Sequence, residues 1–154
     1  MSLSVVDRLL AKLEASHVPF TIMQHAPVFT SEQAAAVRGT PLASGAKALV
    51  AKVGERFALF VIPADRKLDG RKVRTALGVK GLRFASREEV EQLTGLQPGA
   101  IPPFGSLFQL PTYCDPALGD NRSINFNAGD HAISVQMTYG DYLSVEHPTL
   151  LSVT

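Results

Sequence analysis

The stretch Lys47-Ala-Leu-Val-Ala-Lys-Val-Gly-Glu-Arg-Phe-Ala-Leu-Phe-Val-Ile-Pro63 holds two apolar, strand-like runs on either side of Gly54-Glu55. Glycine supplies the backbone freedom a tight reversal needs, so this pattern reads as a β-hairpin. Helical signals flank it. Toward the N-terminus, Ser4 with Asp7 resembles a cap, and Val6, Leu9, Leu10 and Leu13 share one helical face, predicting a helix over about 4–16. Val18 to Met23 reads as a short strand, and Thr30 with Gln33 has capping-box spacing before Ser31–Val37, which Gly39 stops. Toward the C-terminus, Asp69 caps a basic helix ending at Leu77-Gly78, Val79 to Phe84 reads as a strand, and Ser86-Arg-Glu-Glu89 opens a helix that ends at Thr94-Gly95. Residues 95–105, rich in glycine and proline, can be neither helix nor central strand and form a stiff loop. Strands are expected at 106–113, 123–127 and 132–138, with a last helix started by Thr138 or Asp141. Helices interleave with strands, but the hairpin and the late run of strands argue for an α/β (α+β) fold: a central mixed sheet flanked by helices, not a parallel βαβ array.

The 154 residues suit one domain over 1–154 with a core of its own. A hydrophobic fraction of 45% with 19% charged residues fits a compact protein and argues against disorder. No apolar run approaches the roughly 20 residues that span a bilayer, and the first residues lack the basic-then-apolar order of a signal peptide. One cysteine, Cys114, excludes an internal disulfide and any multi-cysteine zinc site, and suits a reducing, cytoplasmic setting. The net charge of +1 conceals an asymmetry. Between Arg38 and Arg87 lie twelve basic and three acidic residues, a local +9; the remainder carries three basic and eleven acidic, or −8. A segment so polarised is a natural surface for a polyanion if it folds onto one face, although solvated charges scattered around the fold would give the same count.

The chemistry-bearing residues are few. The histidines 17, 25, 131 and 147 are dispersed, with no HxH or HxxxH pair to hold a metal. Cys114 precedes Asp115, whose charge disfavours a thiolate, so it reads as structural. GxSxG, P-loop and GxGxxG patterns are absent. Three features remain. Lys47 opens an otherwise apolar strand, either as an outward edge charge or as a cation aimed into a cleft. Gly99-Ala-Ile-Pro-Pro103 offers close approach to a main chain stiffened by prolines, and amides held this way can bind a carbonyl or position a water. Asn127-Ala-Gly-Asp-His131 combines an amide, a flexible glycine and an imidazole, a set that an ordinary turn would also show. Phe29, Phe57, Phe60 and Phe84 read as core rather than as base-stacking platforms.

Taken together, His25-Ala-Pro-Val-Phe-Thr30, Arg38-Gly-Thr-Pro-Leu-Ala-Ser-Gly-Ala-Lys-Ala-Leu-Val50, Glu91-Gln-Leu-Thr-Gly95, Gly99-Ala-Ile-Pro-Pro-Phe-Gly105, Asp115-Pro-Ala-Leu118 and Phe126-Asn-Ala-Gly129 resemble, in order, the YbaK/prolyl-tRNA synthetase editing-domain family of aminoacyl-tRNA deacylases. The Arg38–Val50 block is most similar to its YeaK-like branch. The resemblance implies an α/β domain that hydrolyses the ester joining a wrong amino acid (Ser, Ala, Cys or Thr) to tRNA, without metal or other cofactor. It implies the aminoacyl-tRNA acceptor end as partner and an aminoacyl-tRNA synthetase as a further one, with no membrane and no DNA.

By the same resemblance the family's essential lysine falls on Lys47 and its GxxxP motif on Gly99 and Pro103, while His131 lies near a substrate-selecting histidine. Many relatives have Thr or Asn after the lysine; this chain has Ala48. The mechanism expected from both readings has Lys47 hold phosphate or ribose oxygens of the terminal adenosine, a point-charge role suited to an ammonium. The backbone of Gly99, Ala100, Ile101 and Pro103 holds the ester carbonyl and a water, and the neighbouring ribose hydroxyl moves the proton. His25 and Thr30 are expected at the amino-acid pocket, Asn127 and Gly129 at its floor. Two rival readings stay open: a non-catalytic tRNA-binding module, which needs no lysine in a cleft, and a regulatory domain on the same fold, which Ala48 keeps in play.

Overall fold

Caps placed within a few residues of each helix set where the helices begin in the computed structural model, which describes residues 3–154. Helix α1 (Val5–Ala15) starts at Ser4, whose hydroxyl accepts the Asp7 N–H. Helix α2 (Ser31–Arg38) starts at Thr30, which accepts from Gln33 N, and stops where Gly39 turns left-handed at φ 68°. Asp69 caps α3 (Gly70–Leu77), Ser86 and Glu89 form the expected capping box of α4 (Arg87–Thr94), and Thr138 caps α5 (Tyr139–Glu146).

The hairpin forms as read. Strands β2 (Ala46–Val53) and β3 (Arg56–Pro63) pair antiparallel from Val53↔Arg56 to Ala46↔Pro63. With β4 (Leu82–Phe84), β5 (Thr112–Cys114) and β8 (Thr149–Leu150) they make a mixed five-stranded sheet in the order β4-β2-β3-β5-β8, in which β3–β5 and β5–β8 are parallel. The other strands, β1 (Thr21–Gln24), β6 (Ser123–Asn127) and β7 (Ile133–Thr138), form an antiparallel sheet in the order β1-β7-β6. A parallel bridge between Gly45 and Asn125 joins the two sheets.

Alternation along β2 and β3 gives the larger sheet two apolar faces. Ala46, Ala48, Val50, Leu59 and Val61 pack with Leu9 and Leu13 of α1 and with Ile124, Phe126, Val135 and Met137 of the smaller sheet. Ala51, Val53, Ala58, Phe60 and Ile62 pack on the opposite face with Val73 of α3 and with Val153. The strand is regular, so Lys52 faces away from Lys47, its ammonium 5.9 Å from the Phe57 ring centre.

Several expectations need correction. The strand expected at 106–113 is a 3₁₀ turn at Gly105–Phe108 followed by the short β5. A Cβ at Gly105 would meet Thr112 Oγ1 at 2.4 Å and Leu110 O at 2.5 Å, so the chain folds back on itself there and cannot extend. The strand expected at 18–23 lies at Thr21–Gln24, and that at 79–84 shortens to Leu82–Phe84, because Val79 N–H is spent on Arg74 O. Phe60 is fully buried, but Phe29 and Phe84, expected in the core, are 70% and 60% exposed.

The 95–105 loop is anchored from below. Phe104 is fully buried, edge-on to Phe126 (5.6 Å between ring centres) and to Tyr142 (5.2 Å). Tyr142 donates its hydroxyl proton to the Pro103 carbonyl at 2.7 Å. The last residues are tied down as well, Asp115 accepting from the backbone N–H groups of Val153 and Thr154.

Candidate active site

Strand β4 covers only Ala51–Val53 of β2, which leaves the start of β2 with an open edge. A cavity of about 500 Å³ lies along it, between α2, the 99–101 segment and the end of β6. Antiparallel pairing turns the peptide groups of alternate residues to opposite sides. Ala64 N–H bonds Gly45 O on the β3 side, so the odd-numbered residues face β3 and the peptide group of Ala48 faces the open edge. Gly45 itself admits no side chain, since a Cβ there would come within 2.9 Å of Ala64 Cβ.

Of the residues singled out by sequence, the structure brings Thr30, Lys47, Gly99, Ile101 and Asn127 together around this cavity. Lys47 is exposed; Arg38, Arg66 and Lys67 also line the space, against the carboxylates of Glu32 and Asp65. Four cations and two anions leave the lining at +2. Thr30 has its hydroxyl committed to the α2 cap.

Five others stand behind the lining. Pro103 is buried and turns its carbonyl to Tyr142. Ala100 is buried, its N–H spent on Gln97 O and its carbonyl on Gly129 N–H. Gly129, at φ 96°, packs against Val5. His25 sits between Ala26 O (2.8 Å, Nδ1) and Ser134 Oγ (2.7 Å, Nε2). His131 donates from Nδ1 to Val28 O at 3.1 Å, leaving its buried Nε2 without a partner. The ring of His131 lies between Phe29 (4.8 Å between centres) and Gly99, where a Cβ would sit 3.4 Å from its Cε1. Among the described residues, Gly99 and Ile101 are the ones in the GxxxP stretch whose N–H groups have no partner: Ala100 has spent its own and prolines have none.

A residue that sequence reasoning left unassigned organises this wall. Arg38, in the last turn of α2, donates from Nε to Ser134 Oγ (2.8 Å) and from Nη2 to Asn127 Oδ1 (2.9 Å). Asn127 in turn donates from Nδ2 to Gly99 O at 2.6 Å. Ser134 Oγ accepts from Arg38 and lies within hydrogen-bond reach of His25 Nε2, so the serine hydroxyl links the arginine to the imidazole. Burial pushes the Arg38 guanidinium down to about 10, and among the described residues it has no carboxylate partner. A charge held this way is uncompensated by protein and available to an anionic or carbonyl ligand.

Cys114 does not line the cavity and is fully buried, and burial, with Asp115 beside it, pushes its thiol up to about 12. It is therefore not a nucleophile at neutral pH. Among the described residues no three His, Cys, Asp or Glu side chains are grouped to hold a metal ion, and no helix is long and apolar enough to cross a membrane.

A family model described as "Aminoacyl-tRNA editing domain" matches residues 25–145. The multifunctional Ser/Thr-tRNA deacylase ProXp-y of Escherichia coli K12 is 36% identical over 151 residues, covering 95% of this chain and 90% of that protein. A proline–tRNA ligase of Bacillus licheniformis is 33% identical over 95 residues, 61% of this chain and 17% of the ligase. The crystal structure of a candidate trans-editing enzyme for prolyl-tRNA synthetase superposes with a TM-score of 0.84 at 26% identity, covering 99% of each chain.

Proposed function

This chain belongs to the aminoacyl-tRNA editing domain family, and from that premise we propose that it is a trans-acting deacylase, one domain over residues 1–154, that hydrolyses the ester of mischarged tRNA in the cytoplasm. The observation that carries the reading is the convergence of Lys47 with the Gly99–Ile101 backbone on one cavity. The ammonium of Lys47 holds phosphate or ribose oxygens of the terminal adenosine. The free N–H groups of Gly99 and Ile101 polarise the ester carbonyl and stabilise the oxyanion as water adds. Among the described residues no histidine or cysteine lines the cavity, so the vicinal ribose hydroxyl of the substrate takes a proton from the attacking water as it gives its own to the departing ribose oxygen, and the acyl C–O bond breaks to leave a free acid and a free 3′ end; an activated ester needs little more than positioning. Arg66 and Lys67 carry the positive lining toward α3, where Arg71, Lys72 and Arg74 continue it as a track for the acceptor stem.

Seryl- and threonyl-tRNA are the first substrates to try, since the Escherichia coli relative is named for them; a synthetase partner has support in the similarity to part of a proline–tRNA ligase. The decisive experiment offers Ser-, Thr-, Ala- and Cys-tRNA to the wild-type protein and to Lys47→Ala. Turnover of at least one ester, lost in the variant while the circular dichroism spectrum stays unchanged, is expected. Absence of turnover on the whole panel refutes the enzyme reading and returns the protein to a binding role.

A further inference from the structure

Phe29 is 70% exposed, yet the backbone that carries it is clamped. Val28 before it is buried and bonds His131 O through its N–H at 3.0 Å. Phe29 N–H bonds Gln33 Oε1 at 2.9 Å, and Thr30 after it caps α2. The ring leans on His131 at 39°, so one face is supported and the other is open. A large apolar ring held rigidly in water contributes little to folding and is suited to contact with a ligand. Phe29 also lines the cavity of Lys47 and Gly99, and His131 touches both Gly99 and Phe29, which puts the ring one imidazole width from the proposed ester-binding backbone.

From this geometry we propose that Phe29 is the stacking platform for the terminal adenine of bound aminoacyl-tRNA. The inference rests on the deacylase reading and deepens it. The ester and the adenine are attached to the same ribose, so a carbonyl seated at Gly99 and Ile101 leaves the base at the cavity rim, within reach of this ring. The 3′ end is unpaired, and an unpaired base offers a π-face that an exposed aromatic can cover without reading its edge. The nearby cations neutralise the adjoining phosphates.

The test uses the full chain with Phe29→Leu, Phe29→Ala and Phe29→Trp, read in two ways. One is deacylation of the preferred mischarged tRNA. The other is fluorescence and affinity of an uncharged acceptor minihelix with 2-aminopurine in place of the terminal adenine, a readout independent of catalysis. Wild type and Phe29→Trp are expected to quench the probe, whereas Leu and Ala variants bind it about tenfold or more weaker with the quench lost, and lose kcat/KM alike. Melting temperatures stay the same, because the exposed ring supports no core. Quenching that depends on Phe29 in a protein without turnover upholds the platform and refutes the deacylase reading. Turnover and quenching that survive in Phe29→Ala, or a wild-type protein that does not quench the probe, overturn the platform.

Discussion

Replacing Arg38 by methionine separates catalytic positioning from stability, because two large effects on folding partly offset each other there. The substitution removes two hydrogen bonds from a charged donor, to Ser134 and to Asn127, each contributing about 1.5–3 kcal/mol. It also removes the cost of keeping a cation out of water. That cost shows in the fall of the guanidinium from 12.5 to about 10; at 1.36 kcal/mol per unit it is about 3 kcal/mol, trimmed to about 2 for the part of the group that solvent screens. The net loss is about 1–4 kcal/mol, which lowers Tm by roughly 2–16 °C in a chain of this length. Positioning has no such offset. Without Arg38 the Asn127 amide is free to turn, and its 2.6 Å bond to Gly99 O no longer fixes the carbonyl-binding backbone. A displacement of about 1 Å at reacting atoms costs on the order of a hundredfold. Deacylation of the preferred mischarged tRNA by Arg38→Met is therefore expected to fall tenfold or more, mainly in kcat, in a protein that stays folded at the assay temperature. Arg38→Lys keeps the charge, but one ammonium cannot bridge Ser134 and Asn127 in the guanidinium's geometry, so it rescues little. Wild-type kcat in Arg38→Met refutes the positioning chain; collapse of the fold shows that Arg38 serves the core instead.

Other consequences follow from groups outside the cavity. Tyr142→Phe leaves the buried Pro103 carbonyl without its donor, costing about 1–3 kcal/mol, and a thermal melt at the wild-type Tm contradicts it. Cys114 is expected to resist iodoacetamide at pH 8 in the native protein, since burial holds the thiol up at about 12, and to react once guanidinium unfolds the chain; stoichiometric labelling of native protein refutes this. Burial alone would raise the Asp115 carboxyl, but bonds from Ala117, Val153 and Thr154 outweigh it and hold the group below its ordinary 3.8. A carboxyl depressed by folding stabilises above the unfolded value, and that stability is lost as pH falls through the folded one. The melting gap between wild type and Asp115→Asn should thus narrow below about pH 4, and a gap independent of pH contradicts the assignment. Deacylation should weaken steeply with added KCl through KM, because the +2 lining and the basic α3 act on phosphates; a KM indifferent to salt argues against that track.

Helix starts were legible because a cap is settled by atoms three residues apart. Ser4, Thr30, Ser86 and Thr138 each accept the N–H three positions on, and Asp69 those two and three on. The hairpin was legible for the same reason, its reversal residing in Gly54-Glu55. Sequence-local chemistry also marked Gly99, where φ 91° calls for glycine. It failed where neighbours distant in sequence decide. Residues 106–113 have a strand-like composition, but Gly105 pressed against Thr112 and Leu110 forces a turn.

The candidate site divides along the same line. The chain alone determined its lysine, its proline-stiffened loop and its polarised charge, since these depend on residue type and short spacing. Only the tertiary structure decided that Lys47 shares a cavity with Gly99 and Ile101, that Pro103 turns inward to Tyr142, that Arg38 reaches Asn127 and Ser134 across 89 and 96 positions, and that Phe29 stands in solvent. An arginine ending a helix and a phenylalanine preceding one look alike in sequence whether they serve a surface, a core or a substrate. Packing between the two sheets chooses among those roles, and no local spacing encodes it.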